Sequence, residues 1–228
     1  VRAIIICAGE AKRWANHLGV PKHLVPVDGE PILNRTVKLL EQNGVADIHI
    51  VSKDDPRYDV DGAEQYIPEL NYAEHADADK FLSSKALWNR EGRTVVFYGD
   101  VYFTQAAITV ICHYAKTEWT LFCRPNKSSY TGSPWGECFA QSFYPHDIPK
   151  HETALHRIAR LYKRGVINRC GGWEHYRAMI GLPDNKIRSK IFKRNFVEID
   201  DFTDDFDYPE DYERFLARKA AYEILETH

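Results

Sequence analysis

Two stretches of this chain carry residue types that could work on phosphate. The first is Ile6-Cys7-Ala8-Gly9-Glu10-Ala11-Lys12-Arg13, which ends an apolar run and is followed by Pro21-Lys22. Backbone N–H groups in a turn of small residues can cradle phosphate oxygens. Arg13 and Lys22 can add charge-assisted hydrogen bonds where charge develops on an α-phosphate and a departing pyrophosphate. A nucleoside triphosphate is the ligand that such a set suits. The second stretch is Val95-Val96-Phe97-Tyr98-Gly99-Asp100, an apolar run that delivers one carboxylate at its end. Magnesium takes oxygen ligands, commonly one or two carboxylates together with substrate phosphates, and Asp100 is read as one of them. A second carboxylate is expected from the acidic run 198–212. Carboxylates crowded together repel one another unless a cation sits among them, which favours metal binding somewhere in that run.

These residues need a scaffold that brings them to one edge. Arg2 to Cys7 reads as a buried strand. Ile32, Leu33, Thr36, Val37 and Leu40 recur at helical spacing before Gly44, and Asp47 to Ser52 reads as a second strand. Strand, helix and strand with short links make a right-handed crossover with parallel pairing. Lys53 to Asp79 is expected to cross the surface, with only Ala63 to Leu70 ordered. Lys80 to Asn89 reads as a helix, Thr94 to Tyr98 as a strand, Gln105 to Ala115 as a helix and Trp119 to Arg124 as a strand. Gly136 to Phe143 reads as an antiparallel strand. His151 to Arg164 reads as a helix with Leu155, Ile158, Ala159 and Tyr162 on one face, and Phe196 to Ile199 as a late strand. Pro209 opens a terminal helix that points Tyr212, Phe215, Leu216 and Tyr222 inward. The expectation is one α/β domain of three layers, α/β/α, around a mostly parallel, mixed central sheet. Its parts are a nucleotide-binding half at 1–124, an acceptor-side insertion at 125–195, and a metal-binding strand end with the terminal helix at 196–228. In open sheets of this kind ligands bind outside the carboxyl ends of the strands, where both chemical stretches end.

Composition sets the outer limits. A chain of 228 residues with 44% hydrophobic and 28% charged residues suits one globular domain with a real core. A formal net charge of -3 gives no global attraction to nucleic acid or to an anionic membrane, so neither is expected as a partner. Apolar runs such as Ala3 to Ala8 fall far short of the roughly 20 residues that span a bilayer. Cys7, Cys112, Cys123, Cys138 and Cys170 are scattered and lack a C-x-x-C pair, which fits reduced, buried thiols. With no signal-like segment before the first strand, a cytoplasmic protein is expected, and an oligomer is compatible with everything above.

The motifs, taken in order, resemble the sugar-nucleotidyltransferase superfamily. Its signature is a strand followed by G-x-G-(T/S)-R, then P-K-x-L, then a Gly-Pro-Leu-like step into a helix. Gly9-Glu10-Ala11-Lys12-Arg13, Pro21-Lys22-His23-Leu24 and Gly29-Glu30-Pro31-Ile32-Leu33 stand in that order here. The resemblance implies a GT-A-like, Rossmann-type fold and magnesium-dependent transfer of a nucleoside monophosphate from an NTP to a small phosphorylated acceptor. It casts Arg13 and Lys22 as stabilisers of the triphosphate, Ala8 to Lys12 as the nucleotide loop, and Asp100 as a metal ligand. Ser83 and Ser84 fall where related enzymes place a Ser-Leu step near the base. Ala11 and Lys12 depart from the pattern. An Ala at positive φ would cost on the order of 1 kcal/mol, so an ordinary φ or a modest loop shift is expected there. The closing motif of the family fits two ways, selecting Asp200 in Glu198-Ile199-Asp200 or Asp207 before Pro209. Asp200 directly ends a strand and is preferred, because strand ends are held more rigidly than loops. The family places acceptor contacts in its middle insertion, which points to the loop 131–137.

Other candidate features are weaker. Lys186, Arg188, Lys190, Lys193 and Arg194 form a basic patch that could take a phosphate, yet strand-like alternation against Ile187 and Ile191 describes an ordinary solvated face equally well. His151-Glu152 and His156 miss the H-E-x-x-H spacing, which excludes a zinc protease of that type. A GT-A glycosyltransferase using a nucleotide-sugar is the rival enzyme, but Asp100-Val101-Tyr102 lacks its usual Asp-x-Asp. A noncatalytic nucleotide sensor is the third reading, with Ala11 and Lys12 as its only support.

Overall fold

The computed structural model describes residues 1–9, 13–69, 79–132 and 135–226. Its strands in chain order are β1 (Arg2–Ile6), β2 (Pro26–Val27), β3 (Glu30–Pro31), β4 (Asp47–Val51), β5 (Glu64–Tyr66), β6 (Thr94–Tyr98), β7 (Val101–Tyr102), β8 (Thr120–Arg124), β9 (Glu137–Phe143), β10 (Phe196–Glu198) and β11 (Asp204–Asp205). The helices are α1 (Ile32–Gln42), α2 (Asp79–Leu82), α3 (Gln105–His113), α4 (Ile148–Lys163), α5 (Gly172–Met179) and α6 (Pro209–Glu226). None of the described helices is long and apolar enough to cross a membrane.

A strand that is apolar on both faces needs both faces covered. β1 meets that need at the centre of a sheet of seven strands ordered β10-β8-β9-β6-β1-β4-β5. Ala3, Ile5 and Cys7 join one core with residues of α1 and α3, while Ile4, Ile6 and Ala8 join a second core with residues of α4 and α5. Side-chain alternation along one strand therefore builds both interfaces of a three-layer α/β/α fold. All described pairings in this sheet are parallel except those of β9, which runs antiparallel to both β6 and β8. The stretch 125–195 is thus built into the main core through β9, α4 and α5.

Local signals account for most boundaries. α1 ends at Gly44, whose φ of +78° suits a residue without Cβ, and the Val45 N–H closes onto the Leu40 carbonyl at 3.1 Å. α4 starts at Ile148, ahead of His151, because Pro149 is tolerated in a first helical turn. The helix expected over Lys80 to Asn89 stops at Leu82 and resumes only as a 3-10 turn at Lys85–Leu87. Ser83 and Ser84 turn their hydroxyls onto the carbonyls of Lys80 and Phe81, which competes with regular helix geometry. Tyr162 is 39% and Tyr222 48% exposed, so neither lies in the apolar stripe expected of its helix. The alternation at 187–191 forms no strand; Ile187 is buried and Lys186, Arg188, Lys190, Lys193 and Arg194 face solvent. α5 and the short pair β7–β11 carry no periodic signal and are found only in the structure.

The core beneath α4 and α5 is unusual in holding two neutral imidazoles. His151 and His175 are buried, their ring centroids lie 4.7 Å apart, and none of their ring nitrogens has a hydrogen-bond partner among the described residues. His151 also stacks on Phe143 at 4.4 Å. Burial pushes both pKa values down, that of His175 to about 3. The unfolded chain binds these protons near pH 6.5 and the folded chain does not, so stability is full above pH 6.5 and falls as pH drops below it. Each histidine contributes about 1.4 kcal/mol per pH unit to that slope. Urea denaturation between pH 5 and 7 is expected to show the slope, and His151→Leu is expected to flatten it by about one histidine's share.

Candidate active site

The site forms where β1 and β6 end side by side. A Cβ on Gly99 would overlap the Cys7 sulfur and lie 2.8 Å from the Ile6 carbonyl oxygen, and the Gly99 N–H donates to that same carbonyl at 3.1 Å. Only glycine lets the two strand ends close to this distance. The closure sets Asp100 beside the turn that begins at Gly9. On the other side of Asp100, β7 pairs antiparallel with β11, matching Val101 to Asp205 and Tyr102 to Asp204, and the Phe206 N–H donates to the Asp100 carbonyl at 3.3 Å. Phe206 is fully buried with Trp14, Tyr102, Tyr212 and Phe215. Alternation then turns both of its neighbours, Asp205 and Asp207, towards Asp100. One carboxylate oxygen from each of Asp100, Asp205 and Asp207 lies within 4.8 Å of the others.

Two cations face this group. Lys22, with 12% of its side chain exposed, bonds Asp100 and lies 3.6 Å from Asp207 Oδ1. Arg13 grips Asp207 with both terminal nitrogens at 2.7 Å, and its guanidinium sits 5.3 Å from the centre of the Tyr208 ring. Lys22 begins a 3-10 turn whose buried neighbour His23 makes a 3.0 Å hydrogen bond to the Tyr58 hydroxyl. Burial alone would raise the pKa of Asp100, but the Lys22 ammonium outweighs it and holds the carboxyl well below the usual range. Lys22 is the mirror case: burial lowers its pKa, while Asp100 and Asp207 more than restore it. Burial, Glu137, Asp207 and Asp100 all push the Asp205 carboxyl well up. Burial lowers His23 to about 4, so its ring is neutral.

Lys22 and Arg13 balance Asp100 and Asp207, and ionisation of Asp205 beside them adds negative charge that a further cation would balance. An all-oxygen donor set of this kind fits a hard divalent ion such as Mg2+. Phosphate has room as well. Gly9 has no positive φ, and a Cβ placed on it would meet no described heavy atom within 4 Å, so among the described residues nothing crowds that side of the turn.

The structure brings together Arg13, Lys22, Asp100 and Asp207 from the residues singled out in the sequence. Ala8 is buried in the core at the end of β1, and Glu10, Ala11 and Lys12 lie outside the described residues. Asp200, preferred over Asp207 on the sequence, is exposed and stands outside the carboxylate group. The chain continues past it, and the neighbouring Asp201 bonds the Thr104 hydroxyl and the Thr203 N–H, so that β11 delivers later residues to Asp100. Asp205 was missed, although Asp205-Phe206-Asp207 shows the alternation that would have found it. Ser83 and Ser84 are buried and their hydroxyls are bound within their own segment, Ser84 also accepting from Trp88 Nε1 at 3.0 Å. In the loop 131–137, Ser133 and Pro134 lie outside the described residues, and Trp135 is 62% exposed with the Lys190 ammonium 5.3 Å from its ring centre.

An α/β/α fold with two cations facing clustered carboxylates at one sheet edge suits a nucleotidyltransferase. The chain belongs to the MobA-like NTP transferase domain family, whose sequence profile matches residues 3–163. It is similar in structure to a CTP:phosphocholine cytidylyltransferase from Streptococcus pneumoniae, with 18% identity and a TM-score of 0.52 over 95% of this chain and 97% of that one. It is also similar to the inositol-1-phosphate CTP transferase from T. maritima, with 15% identity and a TM-score of 0.58 over 96% of this chain and 95% of that one. At these identities the likeness concerns the fold. Among curated proteins no match was found.

The Gly99 contact gives a direct test of how the site is positioned. Gly99→Ala is expected to cost about 2 kcal/mol or more, because the new methyl meets backbone that cannot step aside. Thermal denaturation should register this as a loss of roughly 4–8 °C in a chain of this size.

Proposed function

We propose that this protein transfers a nucleoside monophosphate from an NTP to a small phosphorylated acceptor, a sugar-1-phosphate or phospho-alcohol, with release of pyrophosphate. The observation that carries this reading is the convergence of Lys22 and Arg13 with Asp100, Asp205 and Asp207 beside the open backbone at Gly9. Structures similar to this chain are named for transfer of CTP to phosphocholine and to inositol-1-phosphate, which supports the acceptor class. The division of labour follows the chain: 1–124 binds the nucleotide, 125–195 lines the acceptor side, and 196–228 completes the metal group. Five free, buried cysteines fit a reducing, cytoplasmic setting.

The chemistry is in-line attack of an acceptor phosphate oxygen on the α-phosphorus, breaking the bond to the pyrophosphate oxygen. No side chain needs to act as nucleophile. Asp100, Asp205 and Asp207 would hold Mg2+, which when bound supplies charge neutralisation at the phosphate oxygens. The Gly9 backbone lets the triphosphate approach closely, and Lys22 and Arg13 stabilise the charge that grows on the leaving pyrophosphate. Without ligands these two cations are engaged by Asp100 and Asp207. Once Asp100 and Asp207 were engaged by a cation, Lys22 and Arg13 would be free to turn to phosphate, so metal and NTP are expected to bind with mutual reinforcement.

Pyrophosphate release from each NTP with phosphocholine, inositol-1-phosphate and hexose-1-phosphates tests the reaction. Activity is expected to need Mg2+ and to vanish with EDTA. Lys22→Ala should lower kcat/KM by about 10²–10³, the effect of removing one charge-stabilising donor. Full activity in Lys22→Ala, or none on any pair of substrates, would sink the reading. Asp207→Asn should lose most activity and Asp200→Asn should keep it, with the opposite order returning the metal to Asp200. Gly9→Ala should melt like the unchanged protein yet bind NTP at least tenfold more weakly in a fluorescence titration, since the methyl would occupy phosphate space.

A further inference from the structure

Arg124, the last residue of β8, is 2% exposed, and its guanidinium lies 5.5 Å from the Tyr130 ring centre and 5.3 Å from that of Phe139. It donates to the Thr203 carbonyl from both terminal nitrogens, at 3.2 and 3.0 Å, and pairs with Asp204 Oδ1 at 2.8 Å. Asp204 is fully buried. Its Oδ1 also accepts the N–H of Asp205 at 3.1 Å, and its Oδ2 accepts the hydroxyl of the fully buried Ser128. The Ser128 oxygen in turn accepts the N–H groups of Tyr130 and Thr131, each at 3.0 Å. One buried carboxylate is therefore bonded at one oxygen to the backbone of Asp205 and at the other to the hydroxyl that shapes the turn 128–131. Tyr130 closes the arrangement by packing on Phe202, with ring centroids 4.3 Å apart.

A buried Arg–Asp pair is by itself weak evidence of anything beyond packing. Here the pair and the serine join two parts of the chain that the reaction must bring into register: the acceptor-side segment 125–132 and the strand that carries Asp205 to the metal group. Partners one step removed from a metal ligand commonly set its orientation, and their loss weakens metal binding without removing any ligand. We propose that Ser128, Asp204 and Arg124 are positioning residues, through which the placement of the 125–132 segment sets the placement of Asp205 and hence divalent-cation affinity at Asp100, Asp205 and Asp207. This rests on the reading that those three carboxylates hold the metal. The coupling runs both ways, so an acceptor that orders the segment tightens metal binding by the factor by which metal tightens acceptor binding.

The test is Mn2+ binding to the full chain, followed by the loss of the free-ion electron paramagnetic resonance signal. Ser128→Ala changes only the acceptor-side segment and removes no carboxylate. It is expected to weaken Mn2+ binding by about tenfold and to shift the Mg2+ concentration needed for half-maximal activity by the same factor. Ser128→Thr, which keeps the hydroxyl, should restore most of the affinity. Ile158→Val, in the separate core under α4, serves as the stability control and should bind Mn2+ like the unchanged protein. If Ser128→Ala does not fold, Ser128→Cys, with a weaker donor of similar size, replaces it with the same expected direction. Affinity in the Ser128 variant equal to that of Ile158→Val overturns the positioning role and leaves the metal site standing. Failure of the unchanged protein to bind Mn2+, or undiminished binding in Asp207→Asn, overturns the metal reading and the positioning role together.

Discussion

Like charges at short range govern the organisation of this molecule's working edge. Oxygens of Asp100, Asp205 and Asp207 lie within 4.8 Å of one another. At an effective dielectric constant of about 20, each ionised pair at that spacing repels by roughly 3 kcal/mol. A fold can hold such a group only if counter-charge is fixed nearby and the backbone is anchored by something stronger than the repulsion. Lys22 and Arg13 supply that counter-charge.

The anchor is apolar. Phe206 is buried between the two acids it separates, against Trp14, Tyr102, Tyr212 and Phe215. α6 contributes two of those rings, and it is tied down by the Tyr212 hydroxyl, which donates to the Pro26 carbonyl at 2.6 Å, and by Lys219, 2.8 Å from Asp28. Burying several aromatic side chains contributes a few kcal/mol each, enough to offset the carboxylate repulsion. This third, smaller core explains why a helix remote from the nucleotide turn in sequence belongs to the active site in function. It also joins Trp14 and Ile32, which flank the Lys22 segment, to the strand that carries the acids.

What could be read from the sequence follows the range of the forces concerned. β1 and β6 are largely continuous apolar strands whose burial is written in their composition, β4 alternates Ile48 and Ile50 with Asp47 and His49, and Gly99-Asp100 at the end of β6 announced a carboxylate at the ligand edge. Arg13 and Lys22 were recognisable by type and spacing. Asp207 stands among the sequence candidates, but its union with Asp205 beside Asp100 was not readable, because the pairing of Asp205 with Val101 joins positions about a hundred residues apart in the sequence. Asp200 looked favoured since it ends a strand; the chain, however, runs on past it before turning to Asp100. The hydroxyls of Ser83 and Ser84, which the sequence places near the base, satisfy local carbonyls in the structure. Antiparallel β9 was legible as a strand, whereas its place between β6 and β8 required the whole sheet.

That placement of β9 bears on how the protein is made. β1, β4 and β6 can assemble early, but β6 then presents an open apolar edge until residues 137–143 arrive to cover it. β8, which precedes β9 in the chain, cannot join the sheet until β9 bridges it to β6. Sheets closed by distant pairings fold slowly and expose such edges while they wait. A nascent chain that already carries Gly9, Lys22 and Asp100 is therefore still an incomplete sheet, and Asp205 and Asp207 follow only after β10 has been made. Assembly order thus brings the three carboxylates together only after every strand of the main sheet has been made.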